Sequence, residues 1–214
     1  MKITMNWLLA TALAAGLFFY DVSTPKAHPH VWIDMQTRLT FDEAGRATSL
    51  RITWIFDEFY SLYALNKPAD EASQEERLAL VEDYVAGLES FGYFARVEAG
   101  SEEIGFSGVI DRAASADGEK LVMTYELELT KAIDPTAGGL SYAVFDPTYF
   151  IEILHVKQPD AAALGEQAPE GCRTAIVPPN PDPDVVSLAA SLGPTESVGD
   201  AIGVLFAEWV RVEC

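Results

Sequence analysis

From Val31 to Phe41 the chain alternates. Val31, Ile33, Met35, Leu39 and Phe41 fall on one side, with Trp32, Asp34, Gln36 and Arg38 between them. A period of two predicts a half-buried strand. "DEAGR" (42–46) reads as a turn. Ala47 to Phe56 then alternates again, with Leu50, Ile52, Trp54 and Phe56 on one face and Arg51 and Thr53 on the other, so the pair predicts a β-hairpin. "FDEFYSLYALNKP" breaks the alternation and predicts a short helix ending before Pro68. Ser73 and Glu76 have capping-box spacing, and Leu78, Val81, Val85 and Leu88 recur at helical intervals. That helix is expected to lay its stripe on the sheet and keep Glu75, Arg77 and Glu82 in water.

The same reasoning predicts short strands over Tyr93–Glu98 and Ile104–Asp111. An Asp-Gly turn in "SADGEK" follows, then a strand carrying Leu121, Met123, Tyr125, Leu127 and Leu129 on one face. "DPTAGG" is a loop. Leu140–Phe145 and Tyr149–Val156 read as strands around a "DPT" turn, with Tyr149, Ile151, Ile153 and His155 on one face. "PPNPDPD" is a stiff connector, Asp184 is placed to cap a short helix through Leu192, and "FAEWVRVEC" ends in strand-like alternation. The expected fold class is α+β: an antiparallel sheet or sandwich with a helical insertion after the second strand and a disulfide-stapled C-terminal segment.

Upstream of this pattern the chain changes character. Lys2 precedes an uncharged apolar run from Trp7 to Tyr20, too short for a transmembrane helix of about 20 residues, and Ala27 suits the position before a cleavage site. Residues 1–27 are therefore expected to be a signal peptide and 28–214 a single periplasmic domain, with 158–214 a candidate C-terminal subdomain. Cleavage would leave 187 residues carrying 12 Lys and Arg against 32 Asp and Glu, taking the formal net charge from −19 to −20. Such acidity argues against nucleic acid and against anionic lipid surfaces, and suits cationic partners such as metal ions. No stable membrane insertion is expected after cleavage. In an oxidising compartment Cys172 and Cys214 are expected to pair, closing a loop that spans 172 to 214 and contributing about 4 kcal/mol in the chain-entropy description.

Cleavage after Ala27 would expose "HPHVWID", with two of the three histidines within three residues of the new terminus. His28 would then carry a free α-amine, of ordinary pKa about 7.7–8.0, beside its imidazole. Metal competes with protons for both groups. His30 adds a second imidazole, and imidazole suits zinc, copper, nickel and iron. Pro29 has no N–H to lose, which removes the square-planar amide mode of N-terminal tripeptides and leaves a site completed from elsewhere in the fold. Asp34, about 13 Å along the strand from His30, is too far to share the ion. The candidates are His155 near a strand end, Asp146 in "FDPTYF", and Asp57 or Glu58 where the second strand gives way to a helix. Each has a plainer role available: a satisfied core histidine, a turn-former, or a helix cap. No Ser/His/Asp order, phosphate-binding glycine loop or zincin motif appears, so hydrolytic chemistry has little support.

"AHPHVWID", "ITWIFDEFYS", "FGYFA", "FDPTYFIEI" and "FAEWVRVEC" together resemble a family of exported bacterial proteins of unknown function, described as the periplasmic component of an uncharacterised ABC-type transport system. The likeness runs over nearly the whole mature chain. Members of that family accompany inner-membrane permeases of the nickel/cobalt type, and some are implicated in zinc use. The resemblance implies a periplasmic metal-handling accessory for such a permease, with zinc the first candidate and nickel, cobalt or copper behind it; a binding role is expected ahead of an enzymatic one. Two other readings stay open. One is a histidine-brace copper oxidase pairing His28 with His155. The other is a metal-free adaptor domain that binds its transporter through exposed aromatics or a sheet edge.

Overall fold

The hairpin forms in the register its alternation demands. In the computed structural model, which describes residues 29–192 and 202–214, β1 (Val31–Phe41) and β2 (Ala47–Phe56) pair antiparallel, with Ile33 opposite Phe56 and Leu39 opposite Leu50. The odd positions of β1 are buried and Trp32, Asp34 and Arg38 face outward. Asp42 closes the turn by accepting the backbone N–H groups of Ala44 (3.0 Å) and Arg46 (2.9 Å). The proposed signal segment and His28 lie outside the described residues.

β5 (Phe106–Asp117) and β6 (Lys120–Ile133) form the Asp-Gly hairpin, and β6 pairs with β2. On its other flank β1 takes β8 (Ile151–His155) and then β9 (Ala162–Leu164), both parallel. The sheet therefore runs β5-β6-β2-β1-β8, with β9 paired to β1 further along the flank that β8 occupies. The expected α+β class with antiparallel-rich sheets holds, and the parallel pairs of β1 with β8 and β9 are the exception at one edge. More than a hundred residues separate β1 from β8, ample for the crossover that parallel pairing needs.

A second sheet is antiparallel throughout, in the order β10 (Arg173–Val177), β11 (Trp209–Glu213), β7 (Leu140–Val144), β3 (Ala95–Ala99), β4 (Glu102–Ile104). Residues from both sheets enter one apolar core: Met35, Leu39, Ile52, Met123 and Leu127 from the first, Val97, Tyr142 and Val210 from the second. Each such aliphatic side chain contributes about 1.5–3 kcal/mol on burial. Residues 158–214 supply strands to both sheets.

The helical insertion follows β2 as expected. α1 (Glu58–Leu65) is capped by Asp57, whose Oδ1 accepts the Tyr60 N–H at 2.8 Å. α2 (Gln74–Leu88) carries the full Ser73/Glu76 capping box and buries Val81 and Val85 beside β5 and β6. Arg77 departs from its expected place in water. Its guanidinium is drawn in to donate to the carbonyls of Ala69 (2.8 Å) and Ala72 (2.5 Å), tying down the loop before the helix. α3 (Pro183–Ser191) is capped by Asp182 and not by Asp184, because Pro183 suits the first helical position, where its missing N–H costs nothing. Cys172 and Cys214 are bonded, one step beyond the Arg173–Glu213 pair that ends the β10–β11 ladder. Among the described residues no helix is long and apolar enough to cross a membrane.

Candidate functional site

The His30 backbone N–H donates to the Phe150 carbonyl at 2.9 Å, extending the β1–β8 ladder one residue before Val31 and Ile151. The two rings stack, centroids 4.7 Å apart and 28° from parallel. His30 is thus a fixed point on the sheet.

Phe150 is positioned in turn by "DPTYF" (146–150). Asp146 is buried and spends its carboxylate on this turn. Oδ1 accepts from the Thr148 N–H and hydroxyl, both at 2.8 Å, and Oδ2 accepts from the Ile151 N–H at 3.0 Å. Tyr149 adopts a left-handed φ of 59°, a conformation that costs an ordinary residue about 1–2 kcal/mol. It is held there by stacking on Phe206 (3.8 Å, 12°) and by its hydroxyl donating to Glu152 (3.2 Å). Burial, followed by the Glu152 charge, raises the Tyr149 pKa, so the phenol stays a neutral donor. Gly203 donates to the Pro147 carbonyl at 2.9 Å, and a β-carbon there would overlap the Asp146 carbonyl oxygen. The segment before β11 therefore clasps the turn that carries Phe150.

Beside this point the outer face of the first sheet is open. Trp32 is 52% exposed. Glu152 and Leu154 on one flank of β1, and Ile55, Asp57 and Lys120 on the other, join Trp32 and Asp34 in lining a hollow of about 120 Å³. Asp57 therefore both caps α1 and borders this hollow.

His155 sits at the far end of β8, opposite Met35, and is buried. Glu208 Oε2 accepts both its backbone N–H (2.7 Å) and Nδ1 (2.9 Å). In the Nδ1–H tautomer that this carboxylate selects, Nε2 accepts from the Thr37 hydroxyl at 3.0 Å, and Thr37 Oγ1 accepts from the Tyr142 hydroxyl at 2.8 Å. Burial is the largest influence on Glu208 and pushes its carboxyl up. The hydrogen bonds from the side chain and backbone of His155 oppose it, and Glu208 is held below its ordinary value. Hydroxyl, imidazole and carboxylate stand here in the order of a nucleophile, its base and an orienting group. Thr37 is nonetheless only 3% exposed and already engaged by Tyr142, so no reacting carbonyl or phosphoryl group can approach it. The chain links β1 and β8 of one sheet to β7 of the other and to the residue before β11, and it is a clamp.

The structure thus brings His30 and the Asp146 turn together at Phe150–Ile151. It sets Asp57 across Trp32 on the opposite flank of β1, and His155 four residues along β8, about 13 Å away at strand rise. Any ion at His155 would have to displace Thr37 or Glu208. Among the described residues no group of three His, Cys, Asp or Glu side chains is placed to hold one metal ion. Sequence reasoning passed over Thr37, Tyr142, Phe150, Gly203 and Glu208. Thr37 alone left a mark, as the single polar residue in the apolar face of β1.

Comparison with curated proteins gives no match. The terminal motifs, the stacked His30 and the clasped turn all fall within a region, residues 12–214, that matches the family described as protein of unknown function (DUF1007), and the chain belongs to that family.

Proposed function

We propose that this protein is a periplasmic transition-metal-binding accessory serving an inner-membrane metal permease, with zinc the first candidate and nickel, cobalt or copper behind it. The observation that carries the reading is the fixed seat of His30. Its backbone is bonded into a ladder and its ring is stacked on Phe150, which fixes an imidazole where the chain enters the sheet. Because the described residues contain no ready three-ligand group, the ion needs ligands from His28. Signal cleavage after Ala27 would supply them as a ring nitrogen and an α-amine, in bidentate chelation. Such donors suit borderline metals and offer little to calcium or magnesium. The Cys172–Cys214 bond fits an oxidising compartment, and the net charge of −19 favours cationic cargo over anionic surfaces.

The test is metal titration of the processed protein beginning at His28 against a form with one additional N-terminal residue. The extension removes the α-amine from chelation and should weaken zinc or copper binding at least tenfold, about 1.4 kcal/mol. Equal affinity of the two forms would remove the amine from the site, and a native N-terminus elsewhere than His28 would remove the site itself.

A further inference from the structure

Beneath the α1–α2 insertion lies an apolar cavity of about 270 Å³. Trp54 and Phe56 of β2, Tyr60 of α1, Tyr84 and Leu88 of α2 and Phe94 before β3 wall it. Phe91, which also lines it, is 55% exposed. Beside it α1 presents Phe59 and Tyr63 at 88% and 83% exposure, and the Tyr63 ring reaches that of Tyr60. Single exposed aromatics are ordinary, but a group of them around an aromatic cavity is a recognition surface. The volume falls just below the range of small-molecule pockets and suits an inserted side chain.

Two further observations bear on this groove. Trp54 is 3% exposed, yet its indole N–H has no hydrogen-bond partner among the described residues. Its edge-to-face neighbour Tyr125 (5.5 Å, 87°) offers only a weak π acceptor. The second observation is charge. Asp83 is the one charged residue on the cavity wall, and no Lys or Arg lines it.

We propose that this aromatic groove docks an amphipathic segment of a partner protein, which inserts one aromatic or aliphatic side chain and presents a flanking Lys or Arg to Asp83. Asp83 attracts the flanking cation, and the net charge of −19 disfavours anionic lipid headgroups. The docking itself does not require a metal.

The experiment follows the Trp54 indole resonance of the isotope-labelled, processed full chain by NMR. The probe is a synthetic peptide of about three helical turns, with Leu and Phe along one face and Lys elsewhere. A control peptide carries Glu in place of every Lys. The Lys peptide should shift the Trp54 resonance, and its affinity should fall as salt shortens the Debye length from about 10 Å at 0.1 M towards 3 Å at 1 M. The Glu peptide should bind at least tenfold more weakly. Gly87→Trp places a side chain at the groove wall, from a β-carbon that meets open space, and should abolish the shift. Asp83→Lys, an exposed helical change, should weaken the Lys peptide at least threefold and keeps the test standing if Gly87→Trp fails to fold. An unmoved Trp54 signal would overturn the proposal. Equal binding of the two peptides, or wild-type binding by a folded Gly87→Trp, would overturn it too. So would a Trp54 shift with neutral phosphatidylcholine vesicles and none with peptide, which would make the groove a lipid surface.

Discussion

Glu208 satisfies two donors of one residue, the backbone N–H and Nδ1 of His155, and that makes it the polar side chain whose loss the two sheets would feel most. Glu208→Ala would leave both donors buried without an acceptor and should cost about 2–3 kcal/mol at pH 7, read as a lower urea midpoint with unchanged slope. The pH dependence follows from its lowered pKa. The folded protein keeps Glu208 ionised below the ordinary value of 4.5, so as the medium is acidified the unfolded chain takes up this proton first. The stabilisation is complete above pH about 4.5 and drains away as pH falls through the lower folded value. The advantage of wild type over Glu208→Gln should therefore shrink in that window, and parallel pH profiles would refute the assignment. Little of this was legible beforehand. His155 could be read as a satisfied core histidine or as a ligand, and choosing between them needed partners 118 and 53 positions away. No pattern in one strand carries such information. The candidate site was legible at His30 because adjacency in sequence is what makes it. Its support by Phe150 and by the Gly203 clasp was not, since both depend on a parallel pairing and on a segment fifty residues downstream.

Elements announced themselves in proportion to their length. β1 and β2, at 11 and 10 residues, repeat their alternation often enough to fix both boundaries, whereas β4 and β9, at three residues each, hold too few periods to be seen. The parallel edge escaped because β8, at five residues, gives no directional signal: alternation reports which face is buried and is silent about the neighbour's sense. Local chemistry read more reliably. The Ser73/Glu76 box formed as spaced, with the Glu76 carboxylate accepting the Ser73 N–H at 2.7 Å and the Ser73 hydroxyl accepting the Glu76 N–H at 3.2 Å. The Lys67 ammonium, the larger influence, and Ser73 together hold the Glu76 pKa at about 2. Loss of the cap bond in Ser73→Ala should destabilise α2 by about 1 kcal/mol, and amide exchange should quicken from Gln74 through Leu88. Unchanged protection along α2 would mean that packing on β5 and β6 holds the helix without its cap.

At the scale of the whole molecule, β11 is the strand that decides how the last third of the chain is held. It lies between β10 and β7 in the second sheet. Its approach is tied to the first sheet by Glu208 on His155, and its end is tied to the start of β10 by Cys214 on Cys172. The two ties act differently. The carboxylate clamp is a contact of the folded state, while the disulfide acts chiefly by shortening the excursions of the unfolded chain, which for this loop amounts to about 4 kcal/mol. A Cys172→Ala, Cys214→Ala protein should accordingly fold with both sheets intact and lose about 2–4 kcal/mol, lowering Tm by about 5–15 °C for a domain of this size. The loss should be uneven under native conditions. β10 is an edge strand held to its sheet by β11 alone, so Arg173–Val177 should lose exchange protection first, while β7, flanked by β11 and β3, keeps it. His30 belongs to the other sheet and is seated on β8. Metal affinity of the processed, reduced protein at 25 °C should therefore match that of the oxidised form. A large drop on reduction, with β7 still protected, would show that the C-terminal staple reaches the N-terminal site through the Gly203 clasp.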